Sequence, residues 1–126
     1  PYAASIPNSV TSISSRAFAG CTYLAEVHIP NSVTCINDSA FQRCTSLTKV
    51  QIPTSVTSMI GNHAFEDCTS LVTVQIPSTV ARIGIASVQG CTSLMAVQIP
   101  NSVTSIGNCA FAGCSSLGEV QIPNSV

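Results

Sequence analysis

The chain has 126 residues, of which 45% are hydrophobic and only 7% are charged, and its formal net charge at pH 7 is −1. Ordinary domains carry about a quarter charged residues, and four Lys and Arg residues are too few for the basic surface that nucleic acids and anionic membranes attract. No apolar run approaches the length of about 20 residues that a transmembrane helix needs. We therefore expect no nucleic-acid binding and no membrane span.

An Ile-Pro dipeptide returns along the whole chain and divides it into repeats. It occurs at 6–7, 29–30, 52–53, 76–77, 99–100 and 122–123, at spacings of 23, 23, 24, 23 and 23 residues. The extra residue lies in segment 58–61, where we expect a small bulge that keeps later repeats in phase. The repeats predict a single solenoid domain, 1–126, whose turns are 6–28, 29–51, 52–75, 76–98 and 99–121, with a partial turn 122–126.

The first predicted element of each repeat is a strand with the pattern Leu-x-x-Val-x-Ile, directly before the proline. One copy consists of Leu47, Val50 and Ile52. Its alternation is typical of a strand buried on one face, and the proline ends the strand because it has no N–H to donate. The leucines are Leu24, Leu47, Leu71, Leu94 and Leu117. We expect them to stack into one buried column.

A second strand and a short helical turn are predicted after the proline. Val33 and Ile36 begin the pattern, and Ala40, Phe41 and Cys44 follow it. The Ala-Phe-x-x-Cys stretch is about one helical turn long, and residues three apart can share a helix face. Most repeats share this pattern, but the fourth has Ser-Val at 87–88 in place of Ala-Phe. One turn cannot bury its own apolar face, so the core forms only when turns stack.

The combined pattern, Leu-x-x-Val-x-Ile-Pro-x-x-Val-x-x-Ile-Gly-x-x-Ala-Phe-x-x-Cys, resembles the BspA-like leucine-rich repeats over essentially the whole chain. The resemblance implies an α/β-type solenoid, which is an arc with a parallel β-sheet on the concave side and with second short strands and short helical turns elsewhere. It also implies an extracellular or cell-surface protein, often in adhesion, without a shared active site.

The outward positions of the first strands form a candidate interaction face for a protein or glycan ligand. Its residues are Glu26, His28, Thr48, Lys49, Gln51, Thr73, Gln75, Met95, Gln98, Glu119 and Gln121. His28 and the four glutamines form one column, in which stacked amides about 4.8 Å apart can hydrogen-bond to each other. The column is therefore either a stabilising polar ladder or part of a binding surface.

Ser and Thr residues form a second outward column on the second strands. It consists of the pairs at 11–12, 34–35, 57–58, 81–82 and 104–105. A solvated ladder, an O-glycosylated face and a threonine array that orders water are all compatible with it, although Ala81 and Arg82 interrupt the array. Asn37, in the triplet Asn-Asp-Ser, is a candidate N-glycosylation site in the following loop.

Five of the seven cysteines occupy one repeat position, Cys21, Cys44, Cys68, Cys91 and Cys114. Stacked side chains point the same way, so we expect a buried column of reduced thiols and no disulfides within it. Cys35 and Cys109 lie outside the column, and their redox state stays open. No Cys-x-x-Cys pair that would indicate a zinc site occurs.

No pattern predicts catalysis, a cofactor or a metal. His28 and His63 lie in different turns, and we interpret the acidic pair Glu66 and Asp67 as a solvated bend. We expect a non-catalytic extracellular scaffold for protein or glycan interaction and adhesion. The alternative is a structural component of a self-stacking extracellular fibre. The chain begins in mid-turn and has no polar caps, which favours either a segment of a longer array or ends that associate end to end.

Overall fold

The computed structural model describes residues 2–126, which form a solenoid of strands and turns. The strands that precede each Ile-Pro are β1 (Tyr2–Ser5), β3 (Leu24–His28), β5 (Lys49–Gln51), β7 (Thr73–Gln75) and β9 (Ala96–Gln98). The second strands are β2 (Ser12–Ile13), β4 (Cys35–Ile36), β6 (Met59–Ile60), β8 (Arg82–Ile83) and β10 (Ser105–Ile106). The even-numbered strands form one five-stranded sheet, and the odd-numbered strands form sheets of two and three.

The strand pairs of residues 2–126 are parallel, and their register places the core residues of successive coils on one another. Val50 pairs with Val74, and Val74 pairs with Val97. Leu47, Leu71 and Leu94 are each 0% exposed, which confirms the buried leucine column for these coils, while Leu117 in the last coil is half-buried. The two pieces of the first sheet are joined by the amide of Thr48, which donates to the carbonyl of Ala25 at 3.3 Å.

The extra residue of the third repeat is absorbed in a bulge, as the spacing predicts. The carbonyl of Ser58 accepts from two successive amides, those of Ala81 at 3.1 Å and Arg82 at 3.2 Å. Ile60 nevertheless pairs with Ile36 on one side and Ile83 on the other. The buried isoleucine column therefore continues without a shift, and Met59 lies half-buried beside it.

The prediction of short helical turns is wrong, because residues 2–126 contain no helix. In the Ala-Phe segment of the second coil, Ser39 has φ of 58° and Arg43 has φ of 61°. An α-helix needs right-handed φ values and amides that bond four residues back. Here the amides of Phe41 and Arg43 donate instead to carbonyls of the next coil, at 2.8 Å each. The two left-handed positions turn alternate amides toward the next coil, and the segment is a ladder of turns.

Each left-handed position recurs in every coil. One column contains Arg16, Ser39, His63, Ala86 and Cys109, with φ between 53° and 62°, and the other contains Gly20, Arg43, Asp67, Gly90 and Gly113, with φ between 59° and 76°. Glycine occupies three positions of the second column because it adopts positive φ without steric cost.

A stack of aromatic rings fills the side of the core next to these turns. Phe18 and Phe41 lie 5.1 Å apart between ring centroids, with an interplanar angle of 1°, and Phe41 and Phe65 lie 5.3 Å apart at 3°. Val88 occupies the same position in the fourth coil and interrupts the stack. A small cavity remains there, lined by Phe65, Val88, Phe111 and other apolar side chains.

Ser87, which also lines this cavity, is expected to be a destabilising residue. It takes the position of Ala17, Ala40, Ala64 and Ala110 in the other coils. Its side chain is 1% exposed, and its hydroxyl has no hydrogen-bond partner within residues 2–126. Ser87→Ala should raise the free energy of unfolding by about 1–2 kcal/mol, because a buried unsatisfied hydroxyl is costly. Urea denaturation followed by circular dichroism measures the change.

Ser102 provides the matched control for this prediction. Its hydroxyl donates to the carbonyl of Val80 at 2.7 Å, so Ser102→Ala should lower stability by about 1 kcal/mol. A loss of stability in Ser87→Ala as large as that in Ser102→Ala would contradict the prediction.

Candidate interaction face

The first sheet presents alternate side chains outward, as its sequence predicts. In β5, Lys49 and Gln51 are exposed, whereas Val50 between them is 3% exposed. The same alternation places Thr73 and Gln75 outward from β7. The register aligns Gln51 with Gln75 and Gln75 with Gln98, so the glutamine column exists.

An open groove runs along this face from coil to coil. It measures about 730 Å³ over β1, β3 and β5, continues over β5, β7 and β9 with about 610 Å³, and reaches the fifth coil with about 510 Å³. We call this groove the axial trough. The predicted face residues that line it are Glu26, His28, Lys49, Gln51, Thr73, Gln75, Gln98, Glu119 and Gln121.

Two predicted face residues, Thr48 and Met95, do not line the axial trough. They belong to the column just before the strands, where the amide of Val72 donates to the carbonyl of Thr48 at 2.8 Å and the amide of Met95 donates to the carbonyl of Val72 at 3.0 Å. Val72 and Met95 are 41% and 64% exposed, so this margin of the sheet is apolar in the third and fourth coils.

The second wall of the axial trough contains residues that sequence reasoning missed as candidates. Asn31, Thr54, Ser78 and Asn101 each follow an Ile-Pro dipeptide and line the trough beside the strands. The sequence indicates only a turn there, and the amide of Val33 does donate to the carbonyl of Pro30 at 3.1 Å. Their signal is a fixed position: the residue after each Ile-Pro is short and polar in every repeat.

The axial trough carries few charges. Its charged side chains are Glu26, Lys49 and Glu119, which lie in the first, second and fifth coils. The other outward side chains are mostly amides and hydroxyls, which both donate and accept hydrogen bonds. The arrangement therefore suits a neutral polar ligand.

A separate polar cluster lies on the turn ladder, where the interpretation of Glu66 as part of a solvated bend is wrong. The Glu66 carboxylate accepts from the side-chain amide of Gln42 and lies 2.9 Å from Nδ1 of His63. Burial by itself would raise the pKa of Glu66, but the hydrogen bonds from His63 and Gln42, with the charges of His63 and Arg43, lower it. The cluster ties the second coil to the third. Nowhere in residues 2–126 do three or more His, Cys, Asp or Glu side chains converge as a metal site.

The remaining sequence candidates lie apart from the axial trough. Asn37 is half-buried, and its side-chain Nδ2 donates to the carbonyl of Ile13 in the preceding coil at 2.8 Å. The nitrogen that a glycan would be attached to therefore already makes a hydrogen bond between coils. Cys109 is an exposed thiol, and Cys35 is a half-buried thiol.

The thiol column forms as expected in its three middle members, whereas Cys21 and Cys114 at its ends are half-buried. Cys44, Cys68 and Cys91 are buried free thiols. Each Sγ donates to the carbonyl at the Phe position of the preceding coil, as Cys68 does to Phe41 at 3.2 Å. Burial raises the pKa of the Cys44 and Cys91 thiols to about 12. These thiols are therefore neutral packing residues.

Comparison with known proteins identifies the class of repeat. The BspA type leucine rich repeat region, in six copies, matches residues 3–91 and 36–126. The chain belongs to this family of leucine-rich-repeat proteins. A search of curated proteins finds no significant match.

Solved structures of bacterial leucine-rich-repeat proteins resemble this solenoid. A leucine rich repeat protein of T. pallidum is 35% identical, with a TM-score of 0.91, over 96% of this chain and 58% of its own. A leucine rich cell surface protein of Faecalibacterium prausnitzii is also 35% identical, with a TM-score of 0.88, over 94% of this chain and 31% of its own. A protein from Bacteroides ovatus is 28% identical, with a TM-score of 0.73, over 98% of this chain and 38% of its own. The chain thus spans less than two-thirds of each of these relatives.

Membership in this family makes the chain a leucine-rich-repeat scaffold, a class that is typically non-enzymatic. No helix within residues 2–126 has the length and apolar character needed to cross a membrane.

Proposed function

We propose that the chain is an extracellular or cell-surface scaffold that binds a protein or glycan ligand through the axial trough and serves adhesion. The observation that carries the proposal is the trough itself, which follows the solenoid axis over several coils. A cell-surface location is supported by the relative from Faecalibacterium prausnitzii, which is described as a leucine rich cell surface protein. The scaffold needs no catalytic group for this role.

The side chains of the axial trough are free to meet a ligand. Lys49, Gln51, Thr73 and Gln75 are exposed neighbours on two adjacent strands. Inter-coil hydrogen bonds from side chains occur elsewhere, for example from Thr104 to the carbonyl of Ala81 at 3.2 Å on the second sheet. The polar side chains of these four residues are therefore not the groups that make such inter-coil hydrogen bonds.

A variant whose side chain obstructs the axial trough tests the proposal. The purified chain is screened by surface plasmon resonance against immobilised extracellular-matrix proteins and a glycan array. Gln75→Trp places a large ring in the trough and should weaken the binding of a true ligand by about tenfold or more, equivalent to about 1.4 kcal/mol. Thr57→Trp adds the same ring at an exposed position next to the second sheet and should leave that binding unchanged.

The screen also distinguishes the alternative of a self-stacking fibre. If both Trp variants bind alike, or if no ligand binds, the proposed function fails. Filaments in electron micrographs that persist in Gln75→Trp would then favour a structural fibre, whose partner is another copy of this chain.

A further inference from the structure

We propose that the axial trough binds a neutral, linear, β-1,4-linked polysaccharide that lies parallel to the solenoid axis, with one sugar in each coil. This inference rests on the proposed function and names the class of ligand for the same site. It is carried by the spacing and chemistry of two columns of polar side chains.

The first column is the row of glutamines on the trough floor. Gln51, Gln75 and Gln98 are register partners on adjacent parallel strands, which lie about 4.7–4.9 Å apart. A β-1,4-linked chain of glucose-type sugars is extended and advances by slightly more than this distance for each sugar. A ligand along the axis therefore meets one glutamine amide per sugar over a few coils, and the flexible side chains follow the small difference in spacing.

The second column is the wall formed by the residue after each Ile-Pro. Thr54, Ser78 and Asn101 repeat with the same coil period and line the trough together with the glutamines. Successive sugars of a β-1,4 chain are turned over relative to one another, so their hydroxyls alternate between the two sides. An amide offers both N–H donors and a carbonyl acceptor, and it can bind a hydroxyl in either orientation.

Charge and period distinguish this ligand from other linear polymers. Polyanions such as nucleic acids or acidic polysaccharides need several cations, whereas Lys49 shares the trough with Glu26 and Glu119. An extended peptide advances about 3.3 Å per residue, so its side chains fall out of phase with the coils. The neutral polysaccharide matches both columns.

Isothermal titration with cello- and chito-oligosaccharides of two to six sugars tests the inference. The affinity should rise with each sugar up to about five, because the described coils continue the column from His28 to Gln121. Gln75→Ala should weaken the binding of cellohexaose or chitohexaose by about threefold to tenfold, as expected for the loss of one or two hydrogen bonds. Thr57→Ala, at an exposed residue outside the trough, should bind as the parent does, and the α-linked maltohexaose should not bind.

The possible failures have different meanings. If no β-1,4 oligosaccharide binds, but a protein or a charged glycan binds and is blocked by Gln75→Trp, the inference is overturned and the proposed function stands. If oligosaccharides bind equally well to Gln75→Ala and Gln75→Trp, the ligand lies elsewhere and the inference also fails. If no binding of any kind depends on the trough, both the inference and the proposed function fail.

Discussion

Phe41→Ala is expected to lower the free energy of unfolding by about 3–5 kcal/mol, the cost of removing a fully buried aromatic side chain from a close-packed core. Phe41 is 0% exposed and has a stacked ring on each side, Phe18 at 5.1 Å and Phe65 at 5.3 Å. Its loss leaves a cavity and separates the rings of the first and third coils. Because each coil is stabilised by its neighbours, the defect weakens the coil interfaces on both sides. Urea denaturation of the parent and variant measures the effect.

Two control variants test whether this loss of stability comes from removing a buried, stacked ring. Phe111→Ala removes a half-buried ring that stacks on no other ring among the described residues, and it should cost clearly less. Phe41→Leu keeps most of the volume and should cost about 1.5 kcal/mol or less. A loss below about 1 kcal/mol in Phe41→Ala, with an unchanged dependence on urea, would contradict the central role of the ring stack.

The coil and its core could be predicted from the sequence because both depend on a period. Ile-Pro marks each repeat, and the alternation around Val50 and Val74 shows which face of the first strand is buried. Parallel stacking then follows, because a single coil cannot cover its own apolar side chains. The extra residue near Met59 could be placed in a bulge because Ile60 and Ile83 must still pack together.

The turn ladder could not be predicted by the same reasoning. A stretch such as Ala40 to Cys44 has the length and spacing of one helical turn, and periodicity alone does not separate it from two left-handed turns. The glycines at 20, 90 and 113 carried a signal, because a repeated glycine indicates positive φ. Arg43 and Asp67 obscured it by adopting the same conformation, with φ of 61° and 59°.

Of the candidate site, the strand residues could be predicted from the alternation of the sequence, but the residues after each proline could not. Alternation along β5 and β7 identifies Gln51 and Gln75 as outward residues. The wall residues Thr54 and Ser78 lie after the strand, where alternation ends, and only the path of the chain after the proline brings them beside the strands. The pair formed by His63 and Glu66 was missed because it depends on the turn conformation, which the helical interpretation misplaced.

The stability of the fold is expected to fall by about 4 kcal/mol between pH 8 and pH 10 through the three buried thiols of the column. Burial, with a smaller contribution from neighbouring thiols, raises the pKa of Cys44 and Cys91 from 9.0 to about 12, and it raises the pKa of Cys68 as well. Above pH 9 the unfolded chain therefore releases protons that the folded chain keeps. The unfolded state then binds fewer protons, so the free energy of unfolding decreases as pH rises, by about 1.4 kcal/mol per thiol between pH 8 and pH 10.

Cys91→Ala isolates this contribution from other groups that titrate in the same range. The variant lacks one of the three buried thiols whose protons are held in the folded state. Its loss of stability between pH 8 and pH 10 should therefore be smaller than that of the parent by about 1.4 kcal/mol. Cys109→Ala removes an exposed thiol and should retain the full pH dependence of the parent. Urea denaturation at several pH values, with a reductant present, measures all three proteins. If the parent and the Cys91→Ala variant have the same pH slope, the folded column does not hold its protons. The hydrogen bond from the Cys91 thiol to the carbonyl of Phe65, at 3.1 Å, would then be contradicted as well.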